Sequence, residues 1–310
     1  MHYELKLFEF FSVLTRQETS IEELARIWQC STRYAKTIVQ KLHKKNIIKW
    51  ETAKGRGKKP YITLLESKEE CIFNLFTYYW EKNQFDLAYS LLGEHQMLNE
   101  PKIQEWLQLQ YGVHKKDNAE HIFRFPLHDE ASNITFNPLH AISNYDAHFI
   151  KQVHETLFKE NEMTGEIEGN LLFHYESLDY RKWRFILRKG IYFHNLKLVQ
   201  AEDVLYSLER LVELAKPYFE CEKIEIIHDY ELVLTLSNPF AQLPHLLTSF
   251  RTVTLPKEHA DGFIGCGAFM LEKQSKQRLQ LKTFEHYFNT RPYIDGIDVI
   301  FANNGTDLGI

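Results

Sequence analysis

The sequence predicts a multidomain protein in which a helical front part is followed by an α/β or α+β part with a mixed sheet. Three observations support this prediction. The 310 residues exceed the size of one ordinary domain. The first 65 residues contain helical apolar stripes followed by two short extended runs, whereas strands and helices alternate beyond residue 121. A content of 44% hydrophobic and 25% charged residues is typical of a globular protein with sizeable cores.

Residues 4–15 repeat apolar side chains at helical spacing and predict a first helix that packs behind the next two. Its stripe comprises Leu7, Phe8, Phe11 and Leu14. Ser20 and Glu23 have the spacing of a capping box, in which each side chain accepts a backbone amide of the other residue. A second helix therefore begins here, with an apolar stripe of Ile21, Leu24, Ala25 and Trp28.

A third helix is expected after a short turn at Gln29 and Cys30, with Ser31 as its N-terminal cap. Its apolar stripe comprises Ala35, Ile38, Val39 and Leu42. The opposite face is basic and carries side chains suited to reading bases, namely Arg33, Lys36, Thr37, Gln40, Lys41 and Lys44. Asn46 suits the left-handed conformation that ends a helix.

Two extended runs, Ile47–Glu51 and Pro60–Leu65, flank a hairpin tip that is rich in glycine and positive charge. Gly55 and Gly57 allow positive backbone dihedrals there. Four cations gather at the tip, namely Lys54, Arg56, Lys58 and Lys59. From residue 33 to residue 59 there are ten Lys or Arg and one acid, although the whole chain has a net charge of −5. Phosphate contacts would stabilise such a concentration of charge.

The two helices and the hairpin together predict a DNA-binding winged helix-turn-helix. The residues expected to contact DNA are Ser31, Thr32, Arg33, Tyr34, Lys36, Thr37, Gln40, Lys41, Lys54, Arg56, Lys58 and Lys59. The alternative is an ordinary helical hairpin whose basic residues form a solvated face. A phosphate-binding loop is excluded, because the tip lacks the Gly-x4-Gly-Lys-Ser/Thr spacing and does not run from a strand into a helix.

Further helices are expected after a second capping box at Ser67 and Glu70, over about 85–92 before Gly93, and behind Pro101. They are interpreted as core packing, with a spacer or a homodimer surface as alternatives. Residues 111–120 are poor in apolar side chains and predict a linker. The expected domains are 1–66, a helical extension over 67–112, and a rear domain over 119–310.

The rear part is expected to alternate strands and helices. Strands are predicted over 121–127, 182–187, 223–229 and 231–237, and helices over 147–158 and 201–214. Within it, residues 183–211, WRFILRKGIYFHNLKLVQAEDVLYSLERL, resemble the Leu-Arg-Lys-Gly-Val-x-Phe-His and Ala-Glu-Asp-Val region of the family 5 extracellular solute-binding proteins. Further similar segments follow in order, namely 154–158, 237–247, 265–273 and 286–301. The resemblance implies a periplasmic-binding-protein-like lobe.

This chain departs from the family pattern where Cys266 and Ala268 replace a Gly-Thr/Ser-Gly-Pro-Phe motif, and where Asn195 and Leu196 replace Asp-Gly. These changes leave the ligand class open, between a sugar and an oligopeptide. Ligand-facing residues are expected at Asn137, Pro138, Tyr145 and His148. A turn with neighbouring core aromatics would give the same pattern.

A basic helix-turn-helix fused to such a lobe resembles the SgrR-type bacterial transcription regulators. The resemblance implies double-stranded DNA and a small-molecule effector as partners. The family 5 pattern continues into a second lobe, so we expect most of that lobe to be missing. A truncated chain, a shortened gene product and a divergent single-lobe regulator are the alternatives. A solute-binding component of an ABC-type peptide transport system is the alternative function, and a non-functional remnant is a third interpretation.

No arrangement of residues points to catalysis, and neither an enzyme nor a cofactor is expected. The histidines lack metal-ligand spacing, and His194 is interpreted as a structural hydrogen-bonding residue. Cys266 is interpreted as a small core residue rather than a nucleophile, and Glu202 and Asp203 as capping groups.

The four cysteines, Cys30, Cys71, Cys221 and Cys266, are scattered without a CxxC spacing and are expected to be reduced thiols. Because Glu4, Lys6 and Glu9 interrupt the first apolar residues, we expect no export signal, no membrane association and a cytoplasmic location.

Overall fold

The computed structural model describes residues 2–52, 58–82, 84–115, 120–128, 134–215 and 220–302. They divide into two compact units. The front unit ends at Leu109, and the rear unit comprises Gln110–Ala302.

The front unit combines six helices and three strands within its described residues. The helices are α1 (Tyr3–Leu7), α2 (Ile21–Ile27), α3 (Thr32–Lys44), α4 (Lys68–Glu81), α5 (Phe85–Glu94) and α6 (Pro101–Gln108). The strands are β1 (Gln17–Glu18), β2 (Ile48–Glu51) and β3 (Tyr61–Leu64), which form an antiparallel sheet in the order β1-β3-β2. One core joins α1 to α3 with this sheet, because Leu7, Leu24, Ile48 and Ile62 are fully buried.

The turn between α2 and α3 has hydrogen bonds that fix the angle of the chain. Gln29 adopts a φ of 51°, and the amides of Gln29 and Cys30 donate to the carbonyls of Arg26 and Ala25. This pattern is the Schellman motif, which satisfies the last carbonyls of a helix. The same motif ends α3, where Asn46 has a φ of 58°. The prediction that Asn46 ends the helix is therefore confirmed.

Two expectations for the front unit are corrected. The first helix stops at Leu7 rather than continuing to residue 15, because the chain turns at Phe8 and the amide of Leu14 donates to Leu64. Leu14 is 74% exposed rather than buried. At α2 only half of the predicted capping box forms. Ser20 accepts the amide of Glu23, whereas the Glu23 carboxylate accepts the Thr19 hydroxyl.

The capping box predicted at Ser67 and Glu70 forms completely and starts α4. Gly93 lies inside α5 rather than after it, since the helix continues to Glu94. Behind these helices is an aromatic core, in which Trp106 meets Phe76 and Trp80 edge to face at 5.2 and 5.5 Å between ring centroids.

The rear unit is built from two larger sheets. Its strands are β4 (Gly112–Lys115), β5 (His121–His128), β6 (Phe158–Glu160), β7 (Ile167–Gly169), β8 (Leu172–Glu176), β9 (Lys182–Leu187), β10 (Cys221–His228), β11 (Glu231–Leu236), β12 (Phe269–Gln274), β13 (Arg278–Thr283) and β14 (Gly296–Ala302). Its helices are α7 (Asn144–Val153), α8 (Ala201–Ala215) and α9 (Leu243–Leu246), with a 3-10 turn at Phe250–Thr252. Four strands form an antiparallel sheet, β10-β11-β9-β8, that shares a core with α8.

The second sheet has the order β12-β13-β14-β5-β4 and is mixed, because β14 and β5 run parallel while the other pairs are antiparallel. The predicted mixed sheet is thus observed. Residues 112–115 were expected to be part of a linker but form its edge strand β4. The helix expected over 147–158 ends at Val153, and Phe158 begins β6.

One face of this mixed sheet carries a cluster of charged residues around a buried carboxylate. Asp298 is 1% exposed and accepts hydrogen bonds from Arg124 at 2.7 Å and from Arg278 at 2.6 Å. Burial opposes ionisation of Asp298, but these two cations outweigh it and lower the pKa of its carboxyl.

Among the described residues, no helix combines the length and apolar character needed to cross a membrane.

Candidate functional site

The exposed face of α3 carries every DNA-binding candidate that was predicted on that helix. Arg33, Lys36, Thr37, Gln40 and Lys41 are all exposed. The side chains of the opposite stripe, Ala35, Ile38, Val39 and Leu42, are 0 to 5% exposed. Ser31 and Thr32 lie at the start of the helix. The Ser31 hydroxyl accepts the amide of Tyr34 at 3.2 Å, so Ser31 caps α3 as predicted.

Tyr34 projects from the first turn of α3 and contacts an aromatic residue of α1, a contact that the sequence did not predict. Its ring meets Tyr3 edge to face at 6.0 Å between centroids, and Tyr3 meets Trp28 in the same way at 6.2 Å. The Trp28 indole donates to the carbonyl of Tyr3 at 2.9 Å. The first turn of α3 is therefore held against α1. No local sequence pattern could have paired residues so far apart.

At the hairpin, Lys58 and Lys59 are exposed, while Lys54 and Arg56 lie outside the described residues. Arg16 was not predicted to belong to this surface, because its place there depends on contacts with residues distant in the sequence. Its guanidinium lies 3.6 Å from the centroid of the Tyr61 ring and 3.3 Å from Glu51.

Glu51 is the single acid between residues 33 and 59, and it is paired on both sides. Its carboxylate lies 3.3 Å from Arg16 and 3.5 Å from Lys49. Burial opposes its ionisation, but the charges of Lys49 and Arg16 outweigh that effect and lower the pKa of its carboxyl. The acid is thus neutralised locally, which leaves the α3 face strongly positive.

The ligand-facing candidates of the rear unit follow the carboxyl end of β5, where small molecules commonly bind in open α/β sheets. Asn137 and Pro138 form a turn. The Asn137 side-chain oxygen accepts hydrogen bonds from Arg210 at 2.9 Å and from the amide of Leu139 at 3.1 Å. Pro138 is buried, whereas Tyr145 and His148 are exposed on α7. The structure therefore places two candidates within a turn and two on a helix surface.

A groove of about 460 Å³ on the rear unit includes none of these four candidates. It lies on the polar face of the mixed sheet, beside Arg124, Arg278 and Asp298, and near the amino ends of the parallel strands β5 and β14. Within this groove Asp298 is paired with Arg124 and Arg278.

A glycine-containing loop, residues 262–267, contacts both the end of α7 and the turn at His194. The His194 amide donates to Gly265, the Gly265 amide donates to His194 Nδ1 at 3.3 Å, and His194 Nε2 donates to Gly267 at 3.1 Å. His154 Nε2 donates to Gly262 at 2.8 Å. The structural role expected for His194 is confirmed. Cys266, within this loop, is fully buried, and burial raises the pKa of its thiol, as suits a core residue.

Both histidines are held in the neutral form. Burial lowers the pKa of His154 to about 3 and that of His194 to about 4. As the pH falls below about 6.5, the unfolded chain takes up protons that the folded chain cannot, so the free energy of unfolding should fall by up to about 1.4 kcal/mol per pH unit for each histidine.

The measurement is urea unfolding between pH 7 and pH 5, above the range in which most carboxylates titrate. His194→Gln should show a shallower decrease in stability than the unchanged chain, because one of the two histidines no longer takes up a proton on unfolding. The exposed His148→Gln is the control and should keep the full slope. Equal slopes in all three proteins would contradict the prediction.

In the described part of the chain, no group of three or more His, Cys, Asp or Glu residues is placed to hold a metal ion.

Two family models match the chain. Residues 2–117 match the model described as sugar transport-related sRNA regulator N-term, and residues 166–308 match bacterial extracellular solute-binding proteins, family 5 middle. The chain combines an SgrR N-terminal domain with a family 5 solute-binding domain. The resemblance to SgrR-type regulators that the sequence predicted is thereby confirmed.

Curated relatives align with most of the chain. The HTH-type transcriptional regulator SgrR of Photorhabdus laumondii is 29% identical over 304 residues, covering 92% of this chain and 51% of the relative. The uncharacterized protein YhjP of Bacillus subtilis is 29% identical over 326 residues, covering 98% of this chain and 56% of the relative. The chain thus spans about half the length of the curated relatives it matches.

Solved structures support the fold of the solute-binding domain. The periplasmic binding protein DppA of Helicobacter pylori, in complex with peptide STSA, has a TM-score of 0.51 at 23% identity, over 59% of this chain and 43% of that protein. A likeness at this identity shows the fold, which is the periplasmic-binding-protein-like α/β fold with a mixed sheet.

Proposed function

We propose that this chain is a DNA-binding transcription regulator whose rear domain senses a small ligand. The observation that carries the proposal is the exposed basic face of α3, together with the local pairing of Glu51, the acid nearest to it in the sequence. The names of the SgrR relatives support the same function. No catalytic role is proposed, and the matched families are those of regulators and solute-binding proteins.

The front unit would act as a winged helix-turn-helix, with α3 as the recognition helix and the β2–β3 hairpin as the wing. Several features support this assignment. Helix α2 is joined to α3 by a tight turn, and a three-stranded sheet follows. In this arrangement α3 lies in the major groove and the wing contacts the sugar-phosphate backbone. Arg33, Gln40 and Lys36 would reach base edges, while Lys58 and Lys59 would contact phosphates.

The rear domain would bind its effector at the carboxyl ends of β5 and β14, near Asn137, Pro138, Tyr145 and His148. The ligand class stays open. Binding would change DNA affinity only if the effector prefers one of two conformations of the regulator, and the coupling would be reciprocal. The alternative function, a solute-binding component of a transport system, leaves the basic face of α3 without a partner.

Salt dependence of duplex binding tests the proposal. Replacing the wing cations Lys54, Arg56, Lys58 and Lys59 by Gln should flatten the plot of log affinity against log salt by about one for each phosphate that is no longer neutralised. Fluorescence anisotropy of the full chain with a labelled duplex measures this slope.

The matched control replaces four exposed lysines of the rear unit, Lys151, Lys257, Lys273 and Lys276, by Gln. This change has the same effect on net charge and should leave the slope unchanged. Equal slopes for the wing variant and the unchanged chain would show that the wing cations do not contact DNA phosphates. No binding by the unchanged chain at low salt to duplexes of any sequence would reject the DNA-binding function.

A further inference from the structure

A second groove lies within the front unit, between α1, α3 and α4, and has a volume of about 520 Å³. This volume is within the usual range of small-molecule pockets. Charged, apolar and aromatic side chains all contribute to its lining. All of its lining residues belong to the front unit, whereas the effector site proposed above belongs to the rear domain.

The groove has an apolar floor with an aromatic rim. Ile47, Cys71 and Leu75 line it, and Cys71 is 1% exposed. Tyr78 is 53% exposed, and its ring meets Tyr79 edge to face at 5.7 Å between centroids. A planar apolar group would bury both its own surface and part of Tyr78 here.

Charges of opposite sign line the groove from different elements. The cations come from α3 and its C-terminal cap, and the carboxylates come from α1 and the segment before α4. On the α3 side, Lys41 and Lys45 lie one helical turn apart, and neither ammonium has an ion-pair partner within the residues that the structure describes. Both lysines line the same groove as Cys71. An anionic group in the groove would find two cations on this wall.

The other wall is acidic. Glu4 and Glu66 both line the groove, and burial raises the pKa of the Glu66 carboxyl. Asn74 donates a hydrogen bond to one Glu66 oxygen at 3.0 Å. An ammonium group between Glu4 and Glu66 would relieve their mutual repulsion.

We propose that this groove binds a small zwitterion with an apolar side chain, such as a free aromatic amino acid, with its ammonium at Glu4 and Glu66 and its carboxylate at Lys41 and Lys45. The side chain then lies between Leu75 and Tyr78. Neither charge alone satisfies both walls, so a ligand that lacks one of them binds more weakly. Because Lys41 is on the exposed face of α3, occupancy also neutralises a cation of that face.

Isothermal titration of L-phenylalanine into the full chain, without DNA, tests the proposal and does not depend on the DNA-binding function. Glu66→Gln and Lys45→Gln should each weaken binding about tenfold or more, since each removes a charge-assisted interaction with the ligand. Glu105→Gln, an exposed position on α6, is the matched control and should bind as the unchanged chain does.

Two further ligands separate the charges. Phenethylamine and 3-phenylpropionate each keep one charge and should bind about tenfold more weakly than L-phenylalanine or worse. The proposal is overturned if L-phenylalanine does not bind, or if either single-charge ligand binds equally well. Undiminished binding to Glu66→Gln and Lys45→Gln would place the ligand outside this groove and would also overturn it.

Discussion

Gly265→Ala should strongly destabilise the rear unit. A Cβ atom at this position would lie 2.0 Å from the Val153 carbonyl oxygen and 2.5 Å from His154 Nδ1, far inside van der Waals contact. The carbonyl belongs to the backbone at the end of α7, so no side-chain rotation can relieve the overlap. The loop must move instead, which breaks the hydrogen bonds between Gly265 and His194. We expect the free energy of unfolding to fall by about 3–5 kcal/mol.

The matched control is Gly93→Ala. Gly93 lies within α5, and a Cβ there would meet no atom within 4 Å. Alanine restricts the unfolded chain and favours the helix, so this variant should be more stable by about 0.5–1 kcal/mol.

Hydrogen exchange with mass spectrometry under increasing urea measures the effect, because it reports the two units separately. Gly265→Ala should reduce protection in α7 and around His194, while the front unit keeps its protection. Native protection of α7 in this variant would show that the glycine loop does not pack against the end of α7.

Arg33→Ala combined with Gln40→Ala should abolish sequence preference while leaving most non-specific binding. Both side chains project from the exposed face of α3, two turns apart. A bidentate base contact contributes about 1–3 kcal/mol, so removing two of them reduces specific affinity by about a hundredfold or more. Only Arg33 is charged, and the salt slope therefore falls by at most about one.

Selection from a random-sequence duplex library measures the preference. The unchanged chain should enrich one sequence motif, and the double variant should enrich none. Lys82→Ala with Gln108→Ala is the control, since both residues are exposed at other helices of the same unit. Enrichment of the same motif by the double variant would show that these two side chains do not read bases.

The sequence predicted those parts of the fold that depend on neighbouring residues. The stripe of Ala35, Ile38, Val39 and Leu42 is buried because helical periodicity alone decides which face is apolar. Ser31 and Ser67 cap their helices through amides three residues away, and Asn46 ends α3 by its own backbone preference. The exposed candidates on α3 follow from the same periodicity.

Features that depend on distant residues were missed. Strand β4 has no apolar alternation and is a strand only because β5 pairs with it. Strand β1 is two residues long and is defined by its pairing with β3. The Glu23 carboxylate accepts a hydrogen bond from the Thr19 hydroxyl instead of from the Ser20 amide, because Thr19 offers a competing donor. The sequence does not place Arg16 on the basic surface, because its position depends on contacts with Tyr61 and Glu51.

Because β5 pairs with β14, the mixed sheet cannot be completed until the ribosome has synthesised β14. His121 and Asp295, which bind each other beside this pair, are 174 positions apart. While the ribosome makes the intervening segment, β5 has a bare edge on one side, and such edges invite association with other nascent chains. The contacts of the front unit span shorter distances in the sequence, such as the 77 positions between His2 and Tyr79. During synthesis the front unit can therefore fold while the mixed sheet of the rear unit is still incomplete. In this interval, binding of a chaperone to the exposed edge of β5 would prevent aggregation.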